Sequence, residues 1–433
     1  MPVTPTTLPS VPFTLQDHRG LRFFSCFYLY VMQGIPAGFS LTVLTGYMAA
    51  NGIPAVTIGS FIAVASIPWA FQFVWGPLID RFQFSSMGHR KQWLVLAQCL
   101  SFLASLSLLI VRDPLYDLPL LGALFFTHSL FASIQDAAAD AMIIDIVPPH
   151  ERGRANGLMR GGFLAGLALG SAGLSLALHS IGFRGAVLCQ SAVLLTFTVV
   201  TLLLRLRPMD AILPGFKRTP GSSRPSQPSL RVIFSGIAKG IFRQPGFSYF
   251  LLILLVYTAF SVFIRTYSFT LIHDLNWSDQ RLSILQGSWG TILMLVIVFG
   301  GGALADRLGA LRIQRLVMLG VAIFLIGFNL LSAYWSDGNV AATGLVVWNF
   351  ADPLFSVGCF PILMGMCVKP AEGSQFTAYM ALINLCDVTG SWIAGHIMAT
   401  TAPARIGLCC GVVILLVWMV FKKYYPREGV TVA

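Results

Sequence analysis

The stretch Ala132–Arg160, ASIQDAAADAMIIDIVPPHERGRANGLMR, decides how the rest of the chain is read. It begins inside an apolar run that opens at Leu118, yet it carries Asp136, Asp140 and Asp145. It leaves that run through Pro148-Pro149 and a charged turn of Glu151, Arg152 and Arg154, then enters a second run that holds Arg160. A carboxylate at the centre of a bilayer costs about 3 kcal/mol, so such residues are rare and are usually paired or functional. Three on one span, followed by an arginine early in the next, mark the place the scaffold is built to tolerate.

The composition requires such a scaffold. The 433 residues are 56% hydrophobic and 10% charged, with a mean hydropathy of +0.77. A soluble domain carries about 25% charged residues. Apolar runs long enough to cross a bilayer recur along the chain, which predicts an all-α membrane protein. Twelve spans are expected, at roughly 22–49, 57–79, 93–112, 118–147, 155–180, 184–206, 246–275, 280–305, 314–336, 340–368, 374–400 and 404–421. Met1–Asp17 is polar and rich in Pro and Thr, so no cleavable signal peptide is expected.

The net charge of +11 follows topology. With both termini in the cytoplasm, 22 of the 28 Lys and Arg fall in cytoplasmic segments, the exceptions being Arg112, Arg160, Arg184, Arg265, Arg281 and Arg405. This is the positive-inside pattern, and it argues against a nucleic-acid partner. The eight cysteines lie in or beside apolar runs with no metal-site spacing, so neither metal nor disulfide framework is expected. No Walker motif, HExxH or paired-histidine set is present, which argues against an enzyme and against a nucleotide or other cofactor.

An internal echo predicts two halves. Trp75-Gly-Pro-Leu-Ile-Asp80-Arg81 ends the second span, with His89, Arg90 and Lys91 beyond it. Gly300-Gly-Gly-Ala-Leu-Ala-Asp306-Arg307 ends the eighth, with Arg312 and Arg315 beyond it. Repetition six spans apart predicts a six-helix half over 1–206, a basic Pro/Gly/Ser-rich linker over 207–245 and a second half over 246–433. Asp80 and Asp306 can cap a helix or meet arginines when the halves close, so Asp80, Arg81, Asp306 and Arg307 are expected to gate. Asp145, near Arg152 and Arg154, is read as an inner-gate salt bridge, with Arg160 at a depth suited to Asp140 or Asp145.

Inside the spans, Asp136 and Asp140 are one turn apart on a shared helix face, with Gln135 beside the first. Asp136 has no obvious local partner, which makes it a candidate to change protonation as a cavity alternates. Arg265, Asp352 and Asp387 are the intramembrane charges of the second half, and leave one carboxylate unbalanced. Gln33 precedes a Gly34-Ile35-Pro36 break, read either as a bend around a cavity or as a structural kink. Trp69, Trp289, Trp348 and Trp392 lie away from the membrane interfaces, and packing outweighs ligand stacking as their expected role.

Twelve spans in two halves with duplicated Asp-Arg loops resemble the major facilitator superfamily over essentially the whole chain. QGIPAGFSLTVLTGYMAANGIPAVTIGSF, FVWGPLIDRF, GHRKQWLVLAQ, ASIQDAAADA, HERGRANG and GSQFTAYMALINL are similar to its AmpG-type branch of muropeptide, acetyl-coenzyme A and siderophore permeases. The chain departs at Asp387, where the muropeptide permeases would carry a basic residue. The resemblance implies a monomeric secondary transporter in a bacterial inner membrane, among membrane lipid. It would be a proton-coupled importer of a bulky polar small molecule, such as a muropeptide or other peptide-sugar fragment. Siderophore import and drug efflux are the alternatives. Asp136, Gln135, Asp140, Arg265, Asp352, Asp387, Gln33 and Trp289 are then candidates for solute or proton binding. Asp80, Arg81, Asp145, Arg152, Arg160, Asp306 and Arg307 are candidates for the gate.

Overall fold

The computed structural model describes residues 14–53, 55–82, 85–215, 246–277, 303–367, 372–398 and 400–424, with a few isolated positions between them. Among the described residues there is no strand. The principal helices are α1 (Arg19–Gly38), α2 (Ala55–Ala70), α3 (Trp75–Arg81), α4 (Lys91–Ser107), α5 (Leu118–Ile146) and α6 (Arg152–Leu203). They are followed by α7 (Gly246–His273), α8 (Ala310–Leu330), α9 (Gly338–Trp348), α10 (Ala351–Met366), α11 (Glu372–Ile397) and α12 (Pro403–Tyr424).

Nine described stretches are long and apolar enough to cross a membrane. One of these, Pro149–Leu203, holds the fifth and sixth expected spans, because α6 folds back at Gly182, whose φ is +78°. α2 with α3 makes the second span, and α9 with α10 the tenth. The eleventh is helical as α11 but less apolar than its neighbours, since it carries Gln375, Asn384 and Asp387. The eighth span lies largely outside the described residues, and so does most of the linker.

Packing repeats six spans apart. α1 lies along the first part of α6 just as α7 lies along α11, and α4 packs on the end of α6 just as α8 packs on α12. A glycine seam sets the first of these contacts. A Cβ on Gly34 or Gly38 of α1 would overlap Phe163 O or Leu167 O. A Cβ on Gly162, Gly166 or Gly170 of α6 would overlap Phe27 O, Val31 O or Ile35 O. Small residues let membrane helices approach to backbone contact, which replaces the hydrophobic drive that lipid does not supply. Gly34 is therefore a packing position, not a break. The helix runs through Pro36, and the irregularity is the π-helical turn Phe39–Leu44 that follows, where Ser40 Oγ donates to the Pro36 carbonyl at 3.0 Å.

The second half uses aromatics where the first uses glycine. Trp348 packs edge-on against Phe260 and Phe263 at 5.3 and 4.6 Å, and is 6% exposed. It is a core residue. Trp392 is instead exposed, its ring 4.2 Å from that of His396.

Candidate functional site

A cavity of about 370 Å³ lies where the two halves meet, a volume suited to small-molecule sites. α1 contributes Tyr30 and Gln33, the π-helical turn after it Leu41, and the second span Trp69 and Gln72. α5 contributes Asp136 and Asp140, α6 Asn156 and Arg160, and α11 Met380, Asn384 and Asp387. The face Asp136 shares with Asp140 is thus turned inward. Gln72 Nε2 donates to Asp136 Oδ2 at 2.6 Å, and the Tyr30 hydroxyl donates to Asp140 Oδ1. Among the described residues no Lys or Arg pairs with either carboxylate.

The arginines expected nearby go elsewhere. Arg160 reaches neither Asp140 nor Asp145; its Nη2 pairs with Asp352 of α10, across the halves. Asp145 pairs with Arg207 at 2.8 Å, so its bridge runs to the start of the linker and does not join Arg152 or Arg154. The reason is position: Asp145 is at the last turn of α5, facing the chain as it leaves α6. Arg265 and Asp387 pair at 3.1 Å, both more than half exposed. The carboxylate left over in the second half is therefore balanced from the first, and the uncompensated pair is Asp136 with Asp140. Gln135 is buried but does not line the cavity; its Nε2 has no hydrogen-bond partner. Gln33 is buried and lines it, again with Nε2 unpartnered. Trp289 lies outside the described residues.

At one end of the bundle the halves are tied by two matching contacts. Asp80 Oδ2 accepts the Ser374 backbone N–H at 2.8 Å and its hydroxyl at 2.7 Å, at the first turn of α11. Asp306 accepts the Gly153 and Arg154 N–H groups at 2.8 and 3.1 Å, at the first turn of α6. Each of these aspartates thus caps a helix of the opposite half, satisfying orphan donors at the positive end of a helix dipole. Gly76 makes room for the first cap, since a Cβ there would lie 2.5 Å from Ser374 Cα. Arg90 pairs with Asp80 at 3.4 Å and donates to the Ala141 carbonyl. Arg154 Nε adds a pair to Asp306 at 3.3 Å. Burial pushes the Asp306 carboxyl above its ordinary range, while the two N–H groups and Arg154 pull it back. Burial and the adjacent Arg90 push His89 below the ordinary imidazole value, so it adds no charge to this end at neutral pH. Arg152 sits on the first turn of α6, Arg81 lies over the Phe82 ring at 5.2 Å, and Arg307 is exposed.

Away from the caps the cavity opens. Leu41 and Val388 line it and are 40% and 59% exposed. Sequence reasoning missed Gln72 and Ser374 and gave Tyr30 no role, although a glutamine and a tyrosine inside apolar spans are themselves signals.

The description "Major Facilitator Superfamily" belongs to a family model that matches residues 23–395. The anhydromuropeptide permease of Escherichia coli K12 is 25% identical over 396 residues, covering 89% of this chain and 77% of that protein. Among solved structures, the proton:xylose symporter XylE aligns with a TM-score of 0.68 at 14% identity, over 94% of this chain and 97% of that one. The Escherichia coli fucose:proton symporter FucP aligns with a TM-score of 0.64 at 12% identity, over 92% and 98%.

Proposed function

Because the chain belongs to the major facilitator superfamily, we propose that it moves a bulky polar solute of the muropeptide class by alternating access. It does so in a bacterial inner membrane, drawing on a proton gradient. The reading rests on one observation above others. The cavity between the halves holds two carboxylates, Asp136 and Asp140, with neutral hydrogen-bond donors and, among the described residues, no Lys or Arg paired with them. Two adjacent charges in a low-dielectric site repel each other, so a proton or a cationic group must join them.

The rest of the geometry fits this use. Residues 1–206 and 246–433 act as two bodies around the cavity, and the 207–245 linker joins them. The closed end is basic and is taken as cytoplasmic by the positive-inside rule, so the open cavity faces outward and accepts solute for import. Neutralising the dyad removes a charge whose dehydration opposes closure of the open end. Closure there levers the Asp80 and Asp306 caps apart, and the solute leaves on the basic side. Arg265 and Asp387, near the mouth, meet the solute first.

Similarity to the anhydromuropeptide permease supports the solute class. The test is uptake of labelled anhydromuropeptide into proteoliposomes with an acidic exterior. Accumulation above the level of protein-free vesicles is expected, and collapse of the pH gradient abolishes it. Equal labelling of both vesicle types refutes the assignment.

A further inference from the structure

The cavity has a second pole, and the two together restrict the chemistry of the solute. Among the described residues, the charges at the cavity are Asp136, Asp140, Arg160 with its partner Asp352, and Asp387 with its partner Arg265. The two arginines are taken by Asp352 and Asp387, so two negative charges remain at the dyad. A proton neutralises one; the other calls for a cationic group.

The opposite demand arises at Arg160. Its side chain is about a third exposed to the cavity, while its Nε is buried and donates to nothing. Beside Arg160 and Asp352 stands Tyr257, 8% exposed, whose hydroxyl is also buried without a partner. Buried donors are nearly always satisfied, so these two together at the Arg160–Asp352 pair mark the place of an absent acceptor. A guanidinium has five N–H donors and suits a bidentate carboxylate. Tyr30 stands close enough to Asp136, Asp140 and Arg160 to interact with all three, so the poles are neighbours across one side chain.

A purely cationic solute leaves these two donors unsatisfied, and a purely anionic one meets the dyad. We infer that the cavity binds a solute bearing both an ammonium and a carboxylate, as in a short peptide with both ends free, with the ammonium at Asp136/Asp140 and the carboxylate at Arg160. This rests on the transporter reading above, and narrows it. The arriving carboxylate competes with Asp352 for Arg160. Solute binding thereby loosens an ion pair that joins the halves.

The experiment compares unfolding midpoints of the detergent-purified full chain with millimolar trialanine, N-acetyl-trialanine and trialanine amide. Trialanine alone is expected to raise the midpoint, and Arg160→Gln or Asp140→Asn to remove that shift. The blocked peptides test wild-type protein, so the outcome does not depend on how the variants fold. Equal shifts from all three peptides, or none from any, overturn the inference. Two further arms use an anhydromuropeptide with its peptide and the anhydro-disaccharide without it. If both stabilise equally, this inference falls and the muropeptide reading stands. If trialanine stabilises and neither muropeptide does, the muropeptide reading falls and this inference stands.

Discussion

Replacing Asp80 by alanine should open the basic end of the molecule. Asp80 belongs to the first half, yet two of its hydrogen bonds end on Ser374 of the second, at 2.8 and 2.7 Å. Those bonds exist only while that end is shut, so their loss falls on one conformation. Hydrogen bonds to a charged acceptor contribute about 1.5–3 kcal/mol, and a lost N-cap costs about 1 kcal/mol. Arg90, 8% exposed and 3.4 Å from Asp80, also loses its partner carboxylate. A shift of about 3 kcal/mol moves the conformational equilibrium by roughly two decades at 1.4 kcal/mol per decade. Spin labels at His150 and Arg312, both exposed and one in each half, report the separation by double electron–electron resonance. In a background whose native cysteines are replaced, Asp80→Ala should add or enlarge a long-distance population. Asp80→Asn keeps an acceptor and should shift it less. An unchanged distance distribution for Asp80→Ala would refute the idea that this cap holds the halves together.

Asp306→Ala should act in the same direction, since its carboxylate caps the first turn of α6. Combining it with Asp80→Ala should shift the same distance distribution further than either alone. Gly166→Leu drives a side chain into Val31 O, a backbone atom that cannot step aside; overpacking costs about 1–3 kcal/mol or more, seen as loss of monodisperse protein in detergent. Lys91, 1% exposed, donates to the Leu202 and Ile212 carbonyls at 2.9 and 3.3 Å; Lys91→Met strands them, and the unfolding midpoint should drop by the equivalent of about 3 kcal/mol. Asp352→Asn leaves Arg160 unpaired in a partly exposed site, a loss of about 2 kcal/mol that Arg160→Gln in the same chain should largely restore.

What could be read beforehand follows from the range of the forces involved. Span positions come from local hydropathy, and the repeated Asp-Arg loops are visible as spacing, so the architecture was legible without coordinates. The shared face of Asp136 and Asp140 was legible too, because helical periodicity fixes it within one turn. Pairing was not. Asp145 meets Arg207 and Arg160 meets Asp352 because helices far apart in sequence are packed side by side, and nothing in the local pattern encodes that neighbour. The same limit hid Gln72 as the partner of Asp136, and Ser374 as the group Asp80 caps. Gly34 shows the converse error. Its neighbour Pro36 suggested a broken helix, whereas the glycine spacing on α1 and α6 carried a packing signal that only becomes specific once the two helices are set together.

The most direct test of the central claim is solute-driven proton entry into proteoliposomes, followed with a trapped pH indicator as anhydromuropeptide is added outside. Wild-type protein should acidify the lumen on solute addition. The Asp136→Asn/Asp140→Asn variant should acidify the lumen no faster than protein-free vesicles. If that variant acidifies the lumen at the wild-type rate, the dyad is not the proton site and the account is wrong.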